Sequence, residues 1–214
     1  MAENEQLKIF NQKYEQIGTA SRAEAHEKGL WHETFHCWFY TMDQGDLIIY
    51  FQQRSLQKKD FPNQLDITAA GHLLSNESVL DGFREVEEEL GVKLTQDEPE
   101  KLGVFIVAID LGDFVDNEFT NVFVVNKALS PGSFYLQEEE VSGLYPIRLK
   151  QFKEIFYGKR TAITIDGISQ KEGRQFSDRK TFAIKDFCAN ALSYYDQLIL
   201  SFEKILENQT KTLD

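Results

Sequence analysis

The chain reads as a mixed α/β domain on three observations. Aromatic-rich strand patterns fill residues 32–53, a short amphipathic helix ends at Gly91, and strand patterns resume before two C-terminal helical segments. Taken in order, residues 6–10 suit a short strand. Ser21 followed by Glu24 forms a capping-box pattern that opens a helix, which Gly29 ends. Residues 32–40 alternate as a strand, with Thr34, His36, Trp38 and Tyr40 on one face and Phe35, Cys37 and Phe39 on the other. Asp43-Gln44-Gly45 is a hairpin turn signal, and 47–53 is the return strand. Residues 58–63 form a polar connection and 66–74 short extended pieces. Val79, Phe83, Val86 and Leu90 give residues 78–90 the stripe of a helix, stopped by Gly91. Strands follow at 102–110, 117–126 and 141–147, then a helix at 149–157 ended by Gly158. Residues 159–180 read as a long polar loop with one strand at 162–165. Residues 182–207 read as one long helix whose apolar seam runs through Ile184, Cys188, Ala191, Tyr195, Leu198, Phe202 and Ile205. That seam docks on the body or pairs with a second copy.

Composition bounds the function. Thirty-five acidic residues against 23 basic ones leave a net charge of −12, which repels duplex nucleic acid. Hydrophobic residues at 42% and aromatics at 13% suffice for a core. Two cysteines, Cys37 and Cys188, are too few for a disulfide framework, so a reducing, cytoplasmic setting is expected. The opening Met1-Ala2-Glu3-Asn4-Glu5 is unlike a signal peptide, and no apolar run approaches a membrane span.

The helix at 78–90 carries the chemistry. At about 100° per residue, Glu85, Glu88 and Glu89 fall within an arc of roughly 100°, opposite the apolar stripe. Like charges at these spacings repel, and Arg84 is the one interleaved cation. A hard divalent cation relieves the repulsion, and oxygen ligands are what Mg²⁺ or Mn²⁺ takes. A solvated acidic face is the plainer reading of such a run. Between Glu77 and Glu89 lie six acids and one arginine, a net of −5, so nearly half the chain's imbalance sits in thirteen residues.

Gly71, five residues, Glu77, six residues, then Arg84-Glu85-Val86-Glu87-Glu88-Glu89-Leu90-Gly91-Val92 resembles the Nudix box. Every fixed position is matched; the departure is six residues rather than seven between Glu77 and Arg84. The resemblance implies a Nudix fold, a mixed β-sheet sandwiched between helices, here with a long C-terminal helix. It implies one domain over 1–214, with a core of about 28–150, an N-terminal strand extension (1–27) and a C-terminal helical extension (150–214). It implies that Glu85, Glu88 and Glu89 hold Mg²⁺ or Mn²⁺, with a backbone carbonyl near Gly71. The implied reaction is attack of metal-activated water on a diphosphate linkage. Glu118 is the candidate further acid, as base or ligand.

The flanks are similar to one branch, isopentenyl-diphosphate isomerase. The segment Gly29-Leu30-Trp31-His32-Glu33-Thr34-Phe35-His36 resembles its histidine-bearing entry strand. Arg54-Ser55-Leu56-Gln57-Lys58-Lys59 resembles its diphosphate grip, with Arg54 and Lys58 binding substrate. Gly71-His72 and Asp116-Asn117-Glu118 match further motifs. By this resemblance His26, His32, His72, Asp116 and Glu118 supply a second metal site; as isolated strand residues, His32 and His36 would be structural. The isomerase cysteine before Gly-His is Ala70 here, so the acid/base thiol is missing while the glutamates are complete. The reading is therefore a Mg²⁺-dependent hydrolase of a small organic or nucleoside diphosphate. An isomerase with an unusual acid and a non-catalytic nucleotide sensor are the alternatives. The loop 159–180, with Arg160, Arg174 and Arg179, is a candidate lid. Trp38, Tyr40 and Tyr50 are either core or base-stacking residues. The partners expected are a small diphosphate, no duplex nucleic acid, no membrane, and a homodimer if the C-terminal seam is left free.

Overall fold

The computed structural model describes residues 4–110, 115–188 and 192–211. Its strands are β1 (Gln6–Phe10), β2 (Gln16–Ser21), β3 (Trp31–Asp43), β4 (Asp46–Arg54), β5 (Leu65–Asp66), β6 (Ala69–His72), β7 (Pro99–Asp110), β8 (Val115–Asn126), β9 (Val141–Arg148), β10 (Ala162–Lys171) and β11 (Arg174–Ala183). Its helices are α1 (Arg22–Lys28), α2 (Arg84–Leu90), α3 (Leu149–Phe156) and α4 (Leu192–Lys211). One mixed sheet joins these strands in the order β11-β10-β9-β4-β3-β1-β2. The short β5 and β6 pair with β4 and β3, and β8 runs parallel to β3 and carries β7.

The long β3 organises everything. Its alternation splits the core as expected: Trp38 and Tyr40 join a cluster under α3 and α4, while Phe35, Cys37 and Phe39 join one under α2. Gln44 and Gly45 both take positive φ, closing the tight two-residue turn into β4. Ser21 caps α1 by accepting from the Glu24 amide, and Gly29 ends it at φ 59°.

Three expectations need correction. The helix expected over 78–90 is split, with a 3₁₀ segment over Val79–Phe83 before α2. The Asp81 carboxylate accepts from both the amide and hydroxyl of Ser78, tightening that turn. Gly82 is pressed against the Phe35 ring, where a Cβ would come within 2.5 Å of it. A 3₁₀ helix rises about 2.0 Å per residue against about 1.5 Å for an α-helix. Five residues therefore cover about the rise of six to seven α-helical ones, which absorbs the missing residue of the box.

The loop expected over 159–180 is a β-hairpin, β10–β11, that prolongs the sheet beyond β9. Its turn puts Glu172 and Gly173 at positive φ. A glutamate tolerates this because the Glu138 carboxylate, from a distant loop, accepts from both turn amides. Arg160 and Arg179 pair with Glu154 and Asp166, so the proposed lid is a sheet extension with those two arginines engaged.

The helix expected over 182–207 begins only at Leu192. Phe182 and Ala183 finish β11, and Ile184–Asp186 is a 3₁₀ turn. Phe187 and Cys188 stay extended because they add to β5, the Cys188 amide donating to the Leu65 carbonyl. Ile184 is exposed, Cys188 is buried off the helix, and Ala191 lies outside the described residues. Tyr195, Leu198 and Phe202, with Tyr194 and Ile199, are buried against the sheet. The seam is thus spent within the chain, and a homodimer through it finds no support. Among the described residues, no helix is long and apolar enough to cross a membrane.

Candidate functional site

Two clusters of ionisable side chains flank β6. The first is the face of α2. Arg84 donates from Nε and Nη2 to both oxygens of Glu77, at 2.6 and 3.2 Å. The support contact of the box is therefore made despite the shortened spacer. Arg84 also donates to Glu85 (2.5 Å), to Glu88 (3.3 Å) and to the His72 carbonyl (3.1 Å). Glu89 is buried and accepts from the Ala70 amide at 3.1 Å. Glu85 lies against Gly71 so closely that a Cβ there would stand 2.1 Å from its Oε1. The glycine of the box is thus a space for a carboxylate. Burial pushes the Glu85 carboxyl up to about 7 against the pull of Arg84. Burial and the Glu85 charge hold Glu89 well above the usual carboxylate range. Glu88 stands at the exposed edge.

The second cluster assembles from α1, β3, β6 and β8. His26, His32 and His72 bring ring nitrogens within 4.8 Å of one another, and His32, Asp116 and Glu118 do the same. The parallel ladder sets His32 opposite Glu118, and the antiparallel ladder sets Thr34 opposite His72. His32 Nδ1 lies 2.9 Å from the Leu30 carbonyl. A carbonyl only accepts, so Nδ1 carries the proton and Nε2 presents a lone pair. That Nε2 faces Asp116 Oδ1 at 3.5 Å, and both atoms are buried without a hydrogen-bond partner among the described residues. Two buried acceptors aimed at each other are costly unless a cation or a proton lies between them. Burial depresses His32 to about 4 and holds His72 well below the usual imidazole range. Burial raises Asp116, and burial together with the Asp116 charge raises Glu118 well above the carboxylate range. Neutral imidazoles, with lone pairs free, beside carboxylates desolvated by burial are a donor set that a divalent cation would satisfy, releasing any proton the carboxyls hold.

Of the expected residues, the structure gathers Glu85, Glu89 and Gly71 on one side of β6, with Glu88 at the rim. It gathers His26, His32, His72, Asp116 and Glu118 on the other. Glu118 is buried in this cluster, not exposed at a strand start. Arg54 is tied to Asp66 (2.8 Å) and to the Asp60 carbonyl (3.1 Å). Lys58 pairs with Glu140. Both cations bear electrostatically on Glu89, so Arg54 and Lys58 lie near the α2 carboxylates. Trp38 and Tyr40 are core residues, and Tyr50 is buried in the opposite cluster. Sequence reasoning missed Asp66, Glu140 and Tyr194, because no local pattern marks them. A cavity of about 240 Å³ lies elsewhere, between β9 and the β10–β11 hairpin, lined by Tyr50, Leu144 and Asp178 among others.

No family model matches the chain. It is 34% identical over 194 residues to an uncharacterized Nudix hydrolase of Clostridium acetobutylicum, covering 90% of this chain and 94% of that one. It is 32% identical over 205 residues to Nudix hydrolase 3 of Arabidopsis thaliana, covering 92% of this chain but 26% of the longer plant protein. It is 30% identical over 142 residues to the isopentenyl-diphosphate Delta-isomerase of Aliivibrio fischeri, covering 65% of this chain and 78% of that enzyme. Among solved structures, a MutT/nudix family protein from Enterococcus faecalis superposes with a TM-score of 0.52 at 18% identity. That match covers 82% of this chain and 62% of the other and bears on the fold alone. With the box complete on α2 and a relative matched along nearly its whole length, the chain belongs to the Nudix hydrolase family and is an enzyme of that class.

Proposed function

We propose that the protein is a Mg²⁺-dependent hydrolase that cleaves a diphosphate linkage in a small organic or nucleoside diphosphate. The observation that carries this reading is the α2 face. Half-buried Glu85 is pressed against Gly71, where a Cβ would collide with it, and buried Glu89 adds a second carboxylate whose charge is coupled to that of Glu85. Glu85, Glu88 and Glu89 would hold the cation, which when bound neutralises phosphate charge and lowers the pKa of a bound water. Glu89 is oriented by the Ala70 amide and Glu85 by Arg84. Arg54, its Nε and Nη1 already tied down, offers the rest of its guanidinium to a phosphate, and Lys58 adds a second cation. His26, His32, His72, Asp116 and Glu118 would hold a second divalent ion, Mg²⁺ or Mn²⁺. Two buried free cysteines suit a reducing compartment such as the cytoplasm.

A second reading, an isopentenyl-diphosphate isomerase with an unusual acid, is favoured by that five-residue cluster. Ala70 speaks against it, and so does the placement of the cysteines. Cys37 is buried on the opposite face of β3, and burial pushes its thiol up. Cys188 lies beside Asp66, and burial with that carboxylate pushes its thiol up as well. The test incubates the Mg²⁺-loaded protein with a panel of organic diphosphates and measures phosphate release and proton exchange at carbon. Metal-dependent release by wild type that Glu89→Gln abolishes supports the hydrolase. Equal release by both proteins sinks it, and exchange into isopentenyl diphosphate without release supports the isomerase.

A further inference from the structure

The fourth histidine, His36, belongs to neither cluster. It shares a face of β3 with His32 and Thr34 and stands directly across the β3–β6 ladder from Ala70. Directly opposed residues in such a ladder have Cβ atoms about 4.5–5.5 Å apart. The imidazole therefore lies beside the half-buried alanine whose amide orients Glu89. Tyr194, from the C-terminal extension, places its hydroxyl 2.8 Å from His36 Nδ1 and 2.8 Å from Trp38 Nε1. An indole N–H only donates. The Tyr194 oxygen thus accepts from Trp38, and its one proton goes to His36 Nδ1. Nδ1 is the acceptor, so the neutral ring carries its proton on Nε2. Burial keeps the ring neutral, depressing it to about 4.

Among the described residues no hydrogen bond engages Nε2–H, and this nitrogen is not one of the fully buried atoms left without a partner, so it opens onto solvent-accessible space. The Asp66 charge bears on the ring, the ring bears on His72, and Asp66 and Glu118 bear on Tyr194. His36 is thus an electrostatic neighbour both of Asp66, the partner of Arg54, and of His72 in the histidine cluster. A ligand that covers such a fixed donor strips its water, which is costly when the covering surface is hydrocarbon and offset when it offers an oxygen.

We propose that His36 is a specificity residue whose Nε2–H donates to an oxygen of the organic group that carries the diphosphate. The site then selects an oxygenated diphosphate ester over a prenyl-like one, with Trp38 and Tyr194 as positioning residues that set the tautomer. The proposal rests on the diphosphate reading of the site and deepens it. Sites built to hydrogen-bond a substrate hydroxyl reject the analogue that lacks it strongly.

The test is calorimetric binding of matched alkyl diphosphates to the Mg²⁺-loaded protein: 3-methylbutyl diphosphate against its 2-hydroxy and 3-hydroxy derivatives. Phosphate release is read in parallel, and the His36 ring nitrogens are followed by NMR. Wild type is expected to bind a hydroxylated ligand at least about tenfold tighter and to show the Nε2–H tautomer, its resonance moving on binding. His36→Phe is expected to erase the preference, and His36→Gln, which keeps an N–H donor, to retain part of it. Tyr194→Phe is expected to shift the tautomer balance. Equal binding of the pair by wild type, binding of neither, or a preference that survives in His36→Phe overturns the proposal. Should His36→Phe not fold, the wild-type pair and the ring resonance decide. Preference without phosphate release overturns the hydrolase reading and leaves this one standing; release without preference does the reverse.

Discussion

The two clusters that flank β6 handle crowded charge in opposite ways. On α2 the carboxylates have a resident cation: Arg84 touches Glu77, Glu85 and Glu88 at once. In the histidine cluster the facing pair, His32 Nε2 and Asp116 Oδ1, has no hydrogen-bond donor between its members among the described residues, and His26 Nε2 stands off at 3.7 Å from the same oxygen. The α2 face is therefore partly balanced before any metal arrives, whereas the histidine cluster waits for a cation or a proton. The difference teaches that the two sites should respond separately to substitution and to pH.

The largest effect is expected from Glu89→Gln. It keeps the shape and the Ala70 contact but removes a buried carboxylate that would hold the cation. Turnover of any diphosphate substrate should fall by at least about a hundredfold, measured as initial rate at saturating Mg²⁺. A wild-type rate would break the assignment of chemistry to α2. Gly71→Ala should follow. The added methyl must displace Glu85, and a loss of about 10- to 100-fold in metal affinity is expected with the melting temperature little changed. An unaltered metal isotherm would mean that the close approach of Glu85 has no functional weight.

The Nudix helix was legible in the sequence because its chemistry is local: Glu85, Glu88 and Glu89 share a face by helical periodicity alone. The histidine cluster was legible only through resemblance, since α1, β3, β6 and β8 must pair before His26, His32, His72 and Asp116 meet. Where local pattern and tertiary context disagreed, context decided. The turn at Glu172-Gly173 exists because Glu138 reaches it from another loop. The strand-like Phe187 and Cys188, in a segment with helical periodicity, exist because β5 offers an edge. Tyr194 could not be tied to His36 from a separation of 158 residues.

Acidity sharpens the comparison further. Burial pushes the Glu85 carboxyl up to about 7 from its usual value near 4.5, so below pH 7 a cation is expected to displace a proton to bind there. Apparent Mg²⁺ affinity on α2 should weaken by up to about tenfold per pH unit as pH falls below 7. The sign for stability is opposite. A carboxyl raised on folding binds more protons in the folded state, so the metal-free protein loses this contribution as pH rises from about 4.5 to about 7. Calorimetric titration across pH 5–8 would show the trend, and a flat profile would contradict the burial of Glu85. The smallest effect is expected from Arg84→Lys, which exchanges a two-pronged grip on Glu77 for a point charge. It should cost about 1–2 kcal/mol in stability by denaturant titration while leaving cation binding at the histidine cluster untouched.

The most direct measurement counts cations. Mn²⁺ binding followed by electron paramagnetic resonance should show two ions per chain. Glu85→Gln should remove one and His32→Gln the other, each variant retaining its partner site. A single ion, or the loss of both on either substitution, would contradict two independent cation sites on the two sides of β6.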